Sequence, residues 1–115
     1  MTREFGRVSD KSELFRYYWN ALSEYPRPEP QPEYRFDAVR TWRFDWAFLD
    51  PFKIAVEVEG NAWNVPGGGK HMQDRDMEKY NAAAAQGWRI MRFSPGMLKR
   101  DPLGCVEIVR KALGL

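Results

Sequence analysis

The stretch RFDWAFLDPFKIAVEVEG, residues 43–60, decides the architecture of this chain. It reads as two short strands joined by a tight turn at Asp50-Pro51-Phe52. Side chains alternate faces along a strand, so Trp42, Phe44, Trp46 and Phe48 are expected on one face and Asp45 on the other. On the second strand Ile54, Val56 and Val58 share a face, and Ala55, Glu57 and Glu59 share the opposite one. A three-residue turn sets Phe48 across from Ile54, Trp46 across from Val56, Phe44 across from Val58 and Asp45 across from Glu57. A slip by one residue would set apolar side chains against charged ones, so the pattern selects this register. One face is then a core, and the other gathers Asp45, Glu57 and Glu59. Like charges that close are costly unless a cation or a proton lies among them, which points to a metal site.

Working outward, residues 1–9 show no periodicity and read as a loose arm. Ser9 or Asp10 can cap a helix that runs to about Ser23, with Leu14, Tyr17, Tyr18 and Leu22 at helical spacing and Glu13 at the margin of that stripe. Residues 26–32, PRPEPQP, cannot form a helix or a central strand and read as a stiff connector. Glu33 to Val39 is the expected first strand, followed by a turn near Arg40.

Beyond Gly60 comes NAWNVPGGGKHMQDRD, a glycine-rich loop carrying Trp63, Lys70 and His71. It lacks the spacing of a nucleotide P-loop and suits a segment that closes over a substrate. The run RDMEKYNAAAAQ predicts a helix from about Arg75 to Gln86, stopped by Gly87, with Met77, Tyr80 or Asn81, and Ala84 on its sheet-facing side. WRIMRFS, residues 88–94, predicts a fourth strand with Trp88, Ile90 and Arg92 on one face and Arg89, Met91 and Phe93 on the other. Apolar residues on both sides suggest a strand covered on both. Ser94-Pro95-Gly96 ends it. Asp101 and Pro102 open a last helix, with Leu103, Val106, Val109 or Arg110, and Leu113 at helical spacing.

The totals fit one domain, residues 1–115, with 43% hydrophobic residues and five tryptophans to fill its core. With 18 basic and 16 acidic residues the formal charge is +2, so total charge alone does not announce a nucleic-acid partner, though a local basic patch can. A single cysteine, Cys105, excludes an internal disulfide and a cysteine-based zinc cluster, and it is expected to pack among Val106, Ile108 and Val109. One histidine excludes a polyhistidine centre. No apolar run approaches the roughly 20 residues a bilayer demands, so a soluble, cytoplasmic protein is expected.

The order helix, three strands, helix, strand, helix, together with Asp45 in RFD and Glu57-Val58-Glu59 on the next strand, resembles the PD-(D/E)XK nuclease superfamily. The segment DMEKYNAAAAQGWRIMRFSP is similar to the ending of its small phage-type and very-short-patch-repair-like members. The resemblance implies an α/β (α+β) fold with a restriction-endonuclease-like α-β-β-β-α-β core, a mixed four-stranded sheet and a C-terminal helix. It implies a metal-dependent endonuclease, acting most readily on DNA, that uses Mg2+ or Mn2+.

Asp45, Glu57 and the Val58 carbonyl would hold the ion, with Glu13 reaching it through water. Where the family usually carries lysine this chain has Glu59, which could orient or deprotonate the attacking water. Lys79 on the following helix could supply the missing ammonium, and Lys53 is less well placed. Arg40, Arg43, Trp63, Lys70, His71, Arg89 and Arg92 are the candidate nucleic-acid contacts, suited to phosphate grip and not to base reading. A structure-selective or weakly sequence-selective enzyme fits, and cutting both strands would call for a homodimer. Two other readings compete: a non-catalytic nucleic-acid-binding module of the same fold, and a carboxylate-pair glycosidase that needs no metal.

Overall fold

In the computed structural model, which describes residues 10–60 and 69–115 and the side chains of 11–60 and 74–115, the chain forms an α+β fold. Helix α1 spans Asp10–Leu22, and strands β1 (Gln31–Arg35), β2 (Arg43–Phe48) and β3 (Ile54–Val58) follow. Helix α2 (Gly69–Ala85) leads to β4 (Arg89–Phe93), and helices α3 (Pro95–Arg100) and α4 (Pro102–Ala112) close the chain. The sheet order is β1-β2-β3-β4, antiparallel at the first two pairings and parallel between β3 and β4. Among the described residues no helix is long and apolar enough to cross a membrane.

Both faces of the sheet are cored. On one, Trp46, Phe48, Ile54, Val56, Val58 and Phe93 meet Phe15 and Trp19 of α1, Leu98 of α3 and Val106 and Val109 of α4. On the other, Ala47 and Ala55 pack with Phe36, Phe44, Trp88 and the α2 residue Ala83. The small alanines let α2 approach β3 closely, and all five residues of β3 are buried in consequence. The face that carries the acids is therefore roofed by a helix.

The β2–β3 register is the expected one: Trp46 lies opposite Val56, Ala47 opposite Ala55 and Phe48 opposite Ile54. The connection is longer than Asp50–Phe52, because pairing stops at Phe48 and resumes at Ile54, with Lys53 at a left-handed φ of 52°. The faces of β4 are also as expected, with Trp88 and Ile90 toward α2 and Met91 and Phe93 toward the α1 side. β1 starts earlier than expected, inside the proline connector. It is an edge strand, where Pro32 has no inner ladder bond to lose.

Phe44 does not share the face of Trp46. It stacks on Phe36, with ring centroids 4.2 Å apart, and joins Trp88 on the α2 side. The alternation is reset at one level of the sheet. Pro32 faces Trp46 and Tyr34 faces Phe44, but Glu33 between them takes a left-handed φ of 50°, and no pairing forms there with Asp45.

The buried side of α1 is Ser12, Phe15, Trp19 and, just past its end, Ser23, while Tyr17 and Leu22 of the expected stripe are exposed. Polar tips fix this rotation: the Trp19 indole N–H donates to the Pro28 carbonyl at 2.9 Å, and the Trp46 indole N–H donates to the Ser12 carbonyl at 2.8 Å. Helix α2 begins at Gly69 and not near Arg75, with no proline between to stop it.

The segment after β4 holds a short helix as well as a break. Ser94 accepts a hydrogen bond from the Met97 N–H, and Pro95 follows in the first turn. Asp101 caps α4 as expected, by accepting from the Gly104 N–H at 3.1 Å. Cys105, Val106, Val109 and Leu113 are buried, whereas Leu103 and Ile108 are exposed. Burial pushes the Cys105 thiol up, so it is a packing residue.

Candidate active site

Beyond Trp46 and Val56 the hairpin is joined by side chains. The Asp45 N–H donates to Glu57 Oε2 at 2.9 Å, and the Val58 N–H donates to Asp45 Oδ2 at 2.8 Å. Each carboxylate thus accepts from the backbone of the other strand. The β2–β3 ladder stops at the Trp46–Val56 pair, and past it the acids take the place of carbonyls. Asp45 and Glu57 are held side by side by the backbone itself.

Helix α2 supplies the counter-charge. Lys79 Nζ donates to Glu57 Oε1 at 2.9 Å, and the two side chains are only 15% and 8% exposed. The next residue, Tyr80, donates its hydroxyl to Glu59 Oε2 at 2.7 Å and stands 3.3 Å from Glu57 Oε1. Arg92 lies 3.4 Å from the same Glu59 oxygen, with its guanidinium 3.7 Å from the Tyr80 ring centroid. The parallel pairing of Glu57 with Arg92 puts that side chain on the α2 face.

Burial pushes the Asp45 carboxyl above its ordinary value, and Glu33 adds to the rise. The Val58 N–H, Lys79 and Lys11 pull the other way. Burial likewise raises Glu57 against the downward pull of Lys79, with Asp45 adding to the rise. The Tyr80 phenol is raised by burial and then by its hydrogen bond to Glu59, so it remains a donor at any working pH. Perturbed carboxyls beside a buried lysine are a functional signal in physical terms, because stability alone would favour apolar residues here.

Fit to a divalent cation divides by metal. Among the described residues no three His, Cys, Asp or Glu side chains are gathered closely enough to hold an ion. A full protein cage of the calcium kind is therefore not built from them. Mg2+ needs less, since one or two carboxylates plus water and phosphate oxygens complete its shell. Asp45 and Glu57 meet that requirement, and Asp45 Oδ1 carries no hydrogen bond among the described residues. Glu59 does not converge with them as expected, because Tyr80 and Arg92 hold it.

Of the other expected site residues, Glu13 stands half-buried on α1, two positions from Lys11, whose charge acts on Asp45. Among the expected nucleic-acid contacts with described side chains, Arg92 reaches Glu59. Arg89, at the opposite end of β4, donates to the Ala112 carbonyl at 2.9 Å and ties α4 down. Arg40 lies over the Trp42 ring in the β1–β2 turn, and Arg43 is exposed opposite Arg35. Lys53, at the start of β3, donates to the Gln86 carbonyl and is remote from the acids in register. Trp63 and the closing loop lie outside the described residues, as do the side chains of Lys70 and His71, whose backbone forms the first turn of α2.

Tyr80 lies on the sheet-facing side of α2 as expected, but its contact with Glu59 is not something apolar periodicity shows. Asp76, Lys79, Tyr80 and Ala83 recur at i, i+3, i+4 and i+7 and are the half-buried or buried side of α2, whereas Met77 and Ala84 are exposed. The stripe is polar at one end because it covers carboxylates there and alanines further along. Compared with models of known families, with curated proteins and with solved structures, the chain matches none, so its site is read from its own geometry.

Proposed function

We propose that this chain is a metal-dependent endonuclease of the PD-(D/E)XK type that hydrolyses phosphodiester bonds in DNA. One observation carries the reading: Asp45 and Glu57, on adjacent strands, and Lys79, on the helix after β3, form one bonded group at the end of the sheet. Asp45, Glu57 and the Val58 carbonyl are the groups that would hold Mg2+ or Mn2+. The bound ion would supply charge neutralisation at the phosphate and a more acidic water.

The chain's own residues do the rest. The Asp45–Val58 and Glu57–Asp45 hydrogen bonds keep both carboxylates pointed at one place, so no reorganisation is needed as charge develops. Lys79 takes the part of the lysine that Glu59 displaces. Its ammonium, held against Glu57, can exchange that bond for one to a water or a phosphate oxygen. Arg92 adds positive charge at the rim, where the side chain is half-exposed.

The test is incubation with plasmid, single-stranded and branched DNA and with RNA, each with Mg2+, Mn2+ or EDTA. Cleavage with either metal and none in EDTA is the expected result. A second reading, a binding module that keeps the fold, draws on the Lys79–Glu57 contact, since an internal ammonium already partners the buried acid. Folded protein that binds DNA and cuts no substrate under any condition would replace the first reading with the second.

A further inference from the structure

Glu59 is the third acid of the hairpin, and its placement bears on how many ions the site takes. This number has meaning on the metal-dependent reading above, on which it rests. The Tyr80 hydroxyl bonds Glu59 Oε2 at 2.7 Å, Arg92 Nε lies 3.4 Å from the same oxygen, and the guanidinium covers the Tyr80 ring at 3.7 Å. A carboxylate oxygen with a phenol and a guanidinium beside it has little left to offer a cation. We propose that Tyr80 and Arg92 hold Glu59 out of the coordination shell, so that the site binds one divalent cation and not two.

Two-ion centres keep their metals about 3.5–4 Å apart and need carboxylates to bridge them. The third carboxylate such a pair would draw on is Glu59, whose Oε2 already accepts from Tyr80 with Arg92 beside it.

The experiment counts bound Mn2+ by equilibrium titration, reading the free aquo ion by electron paramagnetic resonance. The intact protein is expected to bind one Mn2+ per chain. Tyr80→Phe combined with Arg92→Gln, which frees Glu59 and removes one positive charge, is expected to bind two. Glu59→Gln is expected to retain one ion with less than tenfold loss of affinity, and it keeps the inference testable where the double variant fails to fold. Circular dichroism establishes folding for each.

Two ions on the intact protein, one ion on a folded double variant, or none on folded Glu59→Gln would each overturn the inference. No ion on the intact protein would instead overturn the metal-dependent reading beneath it.

Discussion

Asp45→Asn is expected to abolish metal-dependent cleavage and, in the same protein, to raise thermal stability at neutral pH. The substitution is isosteric, and the asparagine carbonyl can still accept the Val58 N–H that Asp45 Oδ2 accepts now. What disappears is the charge. Activity should fall by more than about a hundredfold, since even the outer partners of metal ligands carry about 10–100-fold. Stability moves the other way because burial raises the Asp45 carboxyl in the folded state.

The folded chain therefore holds this proton more tightly than the unfolded chain. The resulting stabilisation is full below the ordinary carboxyl value of about 4 and is lost as pH rises through the raised folded value. Metal-free wild type should lose stability over that rise, and Asp45→Asn should lose less. Asp37 acts in the opposite sense, lowered by the Arg40 and Val39 amides, and the comparison between variants cancels it. Melting curves in EDTA at pH 5 and pH 7, run with the cleavage assay, read both effects. An Asp45→Asn protein cutting DNA at the wild-type rate would end the nuclease proposal.

Lys79→Met is expected to carry the largest loss of stability, about 3–5 kcal/mol, the usual result of leaving one member of a buried pair alone. Glu57 would then sit buried beside Asp45 without the ammonium that opposes its rise. The methionine keeps most of the apolar stem that lies near the Phe44 and Tyr80 rings, so packing changes little. Adding Glu57→Gln should recover most of the loss, because a neutral amide no longer needs the cation. Urea titrations of the two single variants and the double variant measure the coupling. If Lys79→Met unfolds at the wild-type midpoint, the pair is not the buried contact that the distances describe.

The hairpin register, the faces of β4 and the Asp101 cap were legible because each depends on neighbours in sequence or on alternation alone. The rotation of α1 was not. Leu14, Phe15, Tyr17, Tyr18, Trp19 and Leu22 surround that helix with apolar side chains, so periodicity does not choose among them. The choice is made by the indoles of Trp19 and Trp46, which need carbonyls supplied by distant turns. Phe44 was misplaced because alternation assumes an unbroken strand, and Glu33, in another strand, interrupts it. At the site, Asp45 and Glu57 could be read from strand spacing and chemistry, and Lys79 through the resemblance, as a substitute for its missing lysine. Tyr80 could not, since a tyrosine in an alanine-rich helix carries no mark of the carboxylate it will meet.

The exchange of carbonyls for carboxylates at the end of the hairpin also gives the protein internal reporters. The amide protons of Asp45 and Val58 point at oxygens that titrate, unlike ordinary strand amides, whose acceptors are fixed carbonyls. Protonation of Asp45 weakens the acceptor for the Val58 proton, and protonation of Glu57 does the same for Asp45. Two backbone resonances, and their rates of exchange with solvent, therefore carry the ionisation history of two buried side chains. Chemistry at the tip of the sheet and local breathing of the β2–β3 ladder are one equilibrium seen from two sides.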